Sequence, residues 1–158
     1  MAAGSSGLPL EERLTVVVTT SAAPVHPDTG MLRKVLGSLS LGGAAHCRTI
    51  IVCAPSNQQA ADGTSKFKRG RITQAAAAAY AEYRESITKL AAAGDGCFAN
   101  VEVLELDCRH GFGHAVRAAL ALVRTEFVIV VRLWRPCADY YYTFSLYVAR
   151  NRQLQFLN

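Results

Sequence analysis

Four short β-rich runs, Leu14–Thr20, Arg48–Cys53, Val101–Leu106 and Glu126–Val131, alternate along this chain with stretches of helical periodicity. That alternation restricts the fold severely. Parallel strands cannot be joined by tight hairpins and need crossovers of a dozen or more residues, usually helical, which the intervals here supply. The expectation is an α/β fold, a Rossmann-like three-layer sandwich with a mainly parallel sheet of about four strands. The first run, Leu-Thr-Val-Val-Val-Thr-Thr, is too continuously apolar for an exposed hairpin and belongs at the sheet centre, covered on both faces. Sheets of this kind bind ligands at the carboxyl ends of their strands.

The connecting stretches carry their own punctuation. Ser21–Pro27 holds two prolines and reads as a loop, after which Asp28 or Thr29 can cap a helix with Leu32, Val35, Leu36 and Leu39 on one face. Gly42 and Gly43 stop it. The second strand ends at Ala54-Pro55-Ser56 and a polar loop runs to about Gly70. A long helix follows, its apolar positions Ile72, Ala76, Ala79, Tyr80, Tyr83, Ile87 and Leu90 recurring every three or four residues, with Glu85 and Lys89 as an i,i+4 ion pair. Gly94 and Gly96 end it. The third strand opens into Asp107-Cys-Arg-His-Gly-Phe-Gly-His114, and Val116, Ala119, Leu120 and Val123 mark the core face of the next helix. Beyond Val131 the character changes: the last 27 residues hold seven of the chain's 13 aromatics. Neither a clean strand nor a clean helical stripe emerges there; a short helix around Tyr141–Arg150, with Phe144, Tyr147 and Val148 on one side, or a poorly packed tail, is the reading.

With 158 residues, 51% of them hydrophobic, the chain can bury one substantial core. Residues 1–13 read as a disordered leader, 14–131 as the α/β domain and 132–158 as a divergent aromatic and basic tail. No apolar run reaches membrane-spanning length, so a soluble protein is expected. Five cysteines without a C-x-x-C pair suggest reduced thiols and a cytoplasmic location. The net charge is +5, but the segment from Arg132 onward accounts for +3 of it, leaving only +2 on the body. A nucleic-acid partner is therefore not expected. The Lys66, Lys68, Arg69, Arg71 cluster reads as a solvated loop.

Most familiar chemical signatures are missing. Neither G-x-G-x-x-G after the first strand nor a P-loop is present, and there is no G-x-S-x-G elbow. The turn from Asp107 to His114 is the strongest ligand candidate, since glycines between a strand and a helix let a ligand approach the backbone; it is equally a tight connection. Asp107 could hold a ribose hydroxyl or cap the turn. A helix starting by His110 would align His110, His114 and Arg117. Cys108, His110 and His114 lack a fourth ligand, and no metal is assigned to them.

Together, Leu-Thr-Val-Val-Val-Thr-Thr-Ser at 14–21, the helix Met31–Leu39, Cys-Arg-Thr-Ile-Ile-Val-Cys at 47–53, Gly-Phe-Gly-His-Ala-Val-Arg-Ala-Ala-Leu at 111–120 and Thr-Glu-Phe-Val-Ile-Val-Val at 125–131 resemble a known family. They look like the nucleotide-sugar-binding half of a GT-A-type glycosyltransferase of the family-two-like group, here an incomplete GT-A fold. The resemblance implies a nucleotide-diphospho-sugar donor lying along Thr19, Thr20 and Ser21, with Gly111, Gly113, His114 and Arg117 around the base and ribose, beside the strand-end Asp107.

Two departures from that pattern matter. The family's base-contacting aspartate after the second strand is replaced by Ala54-Pro55, and its acidic DXD loop after the fourth strand by Arg132-Leu-Trp-Arg135. The complete family enzyme would use Mg²⁺ or Mn²⁺ at that loop; this chain, as it stands, is assigned no cofactor, and catalysis by it alone is not expected. The break at Val131 suggests a truncated or frame-altered product of a longer coding sequence, or a short isoform. A Rossmann-like enzyme that binds S-adenosylmethionine and an interaction module whose tail mediates self-association or partner contact are the competing readings.

Overall fold

The computed structural model describes residues 7–21, 28–54, 74–107, 111–134 and 143–150, the last of these as backbone only. Its elements are α1 (Leu10–Arg13), β1 (Leu14–Thr20), α2 (Thr29–Leu41), β2 (Arg48–Cys53), α3 (Gln74–Ala93), a 3₁₀ turn (Gly96–Phe98), β3 (Val101–Glu105), α4 (Phe112–Leu120), β4 (Phe127–Trp134) and β5 (Thr143–Arg150). They form one sheet of order β3-β2-β1-β4-β5. The first four strands in that order are parallel and β5 runs antiparallel to β4. The α/β, Rossmann-like sandwich expected from the strand and helix alternation is what the chain adopts.

All seven residues of β1 are buried, as a strand with neighbours on both sides and helices on both faces must be. Side chains alternate across it. Leu14, Val16 and Val18 join Leu32 and Leu36 of α2 and Tyr80, Tyr83 and Ile87 of α3 in one core. Val17 joins Ile50, Val52, Ala115, Ala119 and Val128 in the other, beneath α4. The change of face follows from topology: β1, β2 and β3 are laid down in one direction, and the chain then returns past β1 to β4. Crossovers keep one hand, so a reversal of direction sends the next helix to the opposite side.

Local signals account for the helix ends. Asp28 caps α2, its side-chain Oδ1 accepting from the Met31 amide at 2.5 Å. Beyond Leu41 the amides of Gly43 and Ala44 return to the carbonyls of Ser40 and Leu39, closing the last turn. α3 ends at Gly94, whose φ of 66° is one that side chains other than glycine's rarely adopt. The Gly96–Phe98 turn then drops Phe98 into the core at 1% exposure.

Three expectations need correction. Leu10–Arg13, assigned to a disordered leader, form a helical turn, because Arg13 pairs with Glu126 at 3.2 Å and stacks over the Phe127 ring. The fourth strand does not stop at Val131 but continues through Trp134. Residues 143–150 are a strand rather than a short helix or a poorly packed tail, paired from Phe127↔Arg150 to Trp134↔Thr143. The reason lies in the sequence: Phe144, Leu146 and Val148 alternate with Thr143, Ser145 and Tyr147, a period of two that suits strand pairing better than a helix. The break at residues 131 and 132 therefore falls within a continuous strand. The Lys66–Arg71 cluster and Ile72 lie outside the described residues, and no described helix is long and apolar enough to cross a membrane.

Candidate functional site

Sheet order points to a candidate site. From β1 the connections run one way to β2 and β3 and the other way to β4, so the chain's direction of winding reverses between β1 and β4. α2, which follows β1, packs on one face of the sheet, and α4, which leads into β4, packs on the other; open α/β sheets bind their ligands outside the carboxyl ends of the strands at such a reversal. The residues at this point are Thr19, Thr20 and Ser21 on β1 and just past it, and Arg132 on β4, with Thr19 and Arg132 in register as Cα partners.

Neighbouring residues of β1 serve different faces. Thr20 is buried and turned toward α3, its hydroxyl lying 3.1 Å from the Val52 carbonyl, 3.0 Å from the Tyr80 hydroxyl and 3.5 Å from Cys53 Sγ. A hydroxyl has one proton and two lone pairs, and the Val52 carbonyl can only accept. The chain of donation therefore runs from Tyr80 Oη–H to Thr20 Oγ1, and from Thr20 Oγ1–H to Val52 O. Burial pushes the Cys53 thiol above its ordinary range, against the opposing effect of the Thr20 hydroxyl, and burial likewise raises the phenols of Tyr80 and Tyr83. The two tyrosine rings stack at 5.7 Å, and Arg84, next in the helix, pairs with Glu105 at the end of β3. This polar layer closes the ends of β1, β2 and β3 from below. Thr19, one residue earlier and also buried, points to the α4 side.

On that side α4 begins at Phe112, capped by Gly111, whose φ of 91° requires glycine and which offers no side-chain acceptor. Ala115 and Ala119 face the sheet, whereas Gly113, His114 and Arg117 are exposed on the outer surface of the helix. The contact that ties this helix start to the reversal point is the Arg132 guanidinium, which lies over the Phe112 ring at 5.1 Å from its centroid. Asp107 is exposed at the end of the edge strand β3, with β2 between it and β1.

The assigned residues thus fall into two groups. Thr19, Thr20 and Ser21 sit at the reversal point; Gly111, Gly113, His114 and Arg117 follow the opening of α4, with Asp107 at its approach. Cys108 and His110 lie outside the described residues, and the helix that would have aligned His110 with His114 and Arg117 starts at Phe112. Among the described residues no group of three His, Cys, Asp or Glu side chains could hold a metal ion. A divalent cation of the Mg²⁺ or Mn²⁺ kind wants carboxylate oxygens. The described strand ends at the reversal point present hydroxyls, an aromatic ring and a guanidinium, and do not fit one. Sequence reasoning missed Phe112, and it treated Tyr80 and Tyr83 as apolar positions. Arg132 was visible as the residue standing where an acidic loop was expected.

No family model matches this sequence, and neither does any curated protein. Among solved structures, the chain is similar to the mannosyltransferase PcManGT from Pyrobaculum calidifontis in complex with GDP-Man and Mn²⁺. The identity is 16% and the TM-score 0.41, over 76% of this chain and 27% of that one. The chain thus spans about a quarter of that enzyme's length.

Proposed function

We propose that this chain is a glycosyltransferase-like domain of GT-A type that binds a nucleotide-diphospho-sugar donor at the junction of β1 and β4 and is catalytically incomplete. One observation carries the reading: the winding reversal between β1 and β4, with α4 starting beside it. In this reading the donor lies across the two strand ends. Thr19 and Ser21 line one wall, and Thr20 contributes through its backbone because its hydroxyl is committed inward. Gly111 and Gly113 let the nucleoside approach the α4 backbone, with His114, Arg117 and Asp107 at the ribose and base side.

Incompleteness follows from what stands at the end of β4. Splitting a sugar from a nucleoside diphosphate builds charge on the leaving diphosphate, and that charge is what a bound cation neutralises when an acidic loop holds one. Here Arg132 stands on β4 across from Thr19, two residues before the strand's last, and an acceptor-activating base is not among the described residues near it. Residues 14–131 are proposed as the donor-binding unit, with the segment from 132 to 158 replacing the catalytic continuation.

The test is calorimetric titration of the whole chain with UDP and GDP, with S-adenosylmethionine as the competing ligand. Saturable binding of one nucleoside diphosphate, weakened by Arg117→Ala, is the expected result. Indifference to both nucleotides, or binding of S-adenosylmethionine instead, overturns the reading.

A further inference from the structure

We propose that Arg132 takes over the diphosphate, so that this chain recognises its nucleotide without a divalent cation. The proposal rests on the donor-binding reading above and concerns how the same site handles charge. Its starting point is the disagreement between that reading and the residues present: a donor diphosphate needs a countercharge, and the described ends of β1 and β4, where the winding reverses, offer no carboxylates to hold a metal.

Arg132 has the attributes of the replacement. It lies on β4 directly across from Thr19, at the winding reversal, and its side chain is exposed. Arg13, Arg48 and Arg84 each pair with a glutamate, whereas Arg132 pairs with no carboxylate among the described residues. What holds it is the face of Phe112. The Phe112 ring holds the guanidinium from one side, and its N–H groups form a planar fork that matches two phosphate oxygens at once. Stacking also restricts the side chain before any ligand arrives, which lowers the ordering cost of binding. A lysine at this position would keep the charge and lose the fork.

The experiment compares UDP, GDP, UMP and GMP binding to the whole chain in EDTA and in Mn²⁺, for the parent and for Arg132→Gln, Arg132→Lys and Phe112→Leu. Thermal melts of each variant establish folding. For the nucleotide that binds, the expectation is equal affinity in EDTA and in Mn²⁺ and a preference for diphosphate over monophosphate. Arg132→Gln should cost about tenfold or more in diphosphate affinity, the range for losing hydrogen bonds to a charged group, and should abolish that preference while leaving monophosphate binding nearly unchanged. Arg132→Lys and Phe112→Leu should fall between. Binding that requires Mn²⁺, or a diphosphate preference that survives Arg132→Gln, overturns this proposal and leaves the donor-binding reading standing. Absence of nucleotide binding in both media removes the donor-binding reading and this one with it.

Discussion

Substituting Thr20 by valine separates two roles that the sequence alone assigns to the same residue. The hydroxyl donates to the Val52 carbonyl and receives the Tyr80 hydroxyl in a fully buried setting. Each bond of this kind contributes about 1 kcal/mol net, and a buried partner deprived of its bond costs about 1–3 kcal/mol. Thr20→Val removes both bonds and should destabilise the fold by about 2 kcal/mol, while Tyr80→Phe removes one and should cost about 1 kcal/mol. Because the bond between them is shared, the double variant should cost about 1 kcal/mol less than the two singles combined. Urea unfolding of the four proteins measures this directly, and for a chain of this size each kcal/mol should also lower the melting temperature by about 2–4 °C. Since the hydroxyl points to α3, away from Arg132 and Phe112, Thr20→Val should leave nucleotide affinity within about twofold, less than one hydrogen bond's worth. A Thr20→Val variant of parental stability that loses tenfold in nucleotide binding, or a coupling of zero with Tyr80→Phe, would refute the assignment of that hydroxyl to the interior.

Core burial sets a second expectation: Leu32→Ala, at a fully buried α2 position, should cost about 2–5 kcal/mol in urea unfolding, whereas Leu41→Ala, at the 92% exposed end of the same helix, should stay within about 0.5 kcal/mol. Stability should also fall in alkali. Burial raises Cys53, Tyr80 and Tyr83 above their unfolded values, so each contribution is complete below the unfolded pKa and is lost as pH rises toward the folded one. Unfolding free energy should therefore be flat to about pH 8.5 and decline with increasing slope above about pH 10, and Tyr80→Phe should reduce that slope; an unchanged slope would contradict it. Finally, Cys47 and Cys53 are buried with raised thiols, while Cys97 is half-exposed. Peptide-mapped alkylation of the native protein should modify Cys97 first among these three, and earlier modification of Cys53 would show that the layer beneath the strand ends is open.

The fold was legible where local signals agreed with tertiary demand. The continuous apolar run of β1 gave its central place, and Asp28, Gly42 and Gly94 gave helix ends close to those observed. It was illegible where one segment carried two periodicities: Phe144, Tyr147 and Val148 fit a helical stripe, Phe144, Leu146 and Val148 fit a strand, and only the exposed edge of β4 decides between them. The site was half legible. Position at strand ends can be read from order, but strand parity sends Thr19 and Thr20 to opposite faces, so a contiguous trio of assigned residues cannot act as one set of side chains. Tyr80 and Tyr83 sit at core spacing on α3, and nothing in that spacing reveals that their hydroxyls belong to a polar layer with Thr20 and Cys53.

The antiparallel strand changes what Arg132 can be. Had the sheet ended at β4, Arg132 would sit on an edge strand, its backbone paired on one side alone and its side chain free to sample solvent. With β5 in place its backbone is held between Thr19 on β1 and Ser145 on β5, and its guanidinium is held by Phe112 on α4. Three separate elements therefore fix one cation at the point where the winding reverses. A group fixed before the ligand arrives loses little freedom on binding, so its charge appears largely as affinity. In the proposed reading, pairing with β5 and diphosphate recognition are coupled in this way. Ser145→Pro, which removes an amide from the strand opposite Arg132, should weaken diphosphate binding even though residue 145 lies one strand beyond the β1–β4 junction. Melts and circular dichroism would establish that the variant keeps the parallel core, and an unchanged diphosphate affinity in a variant with β5 detached would show that Arg132 needs no such support.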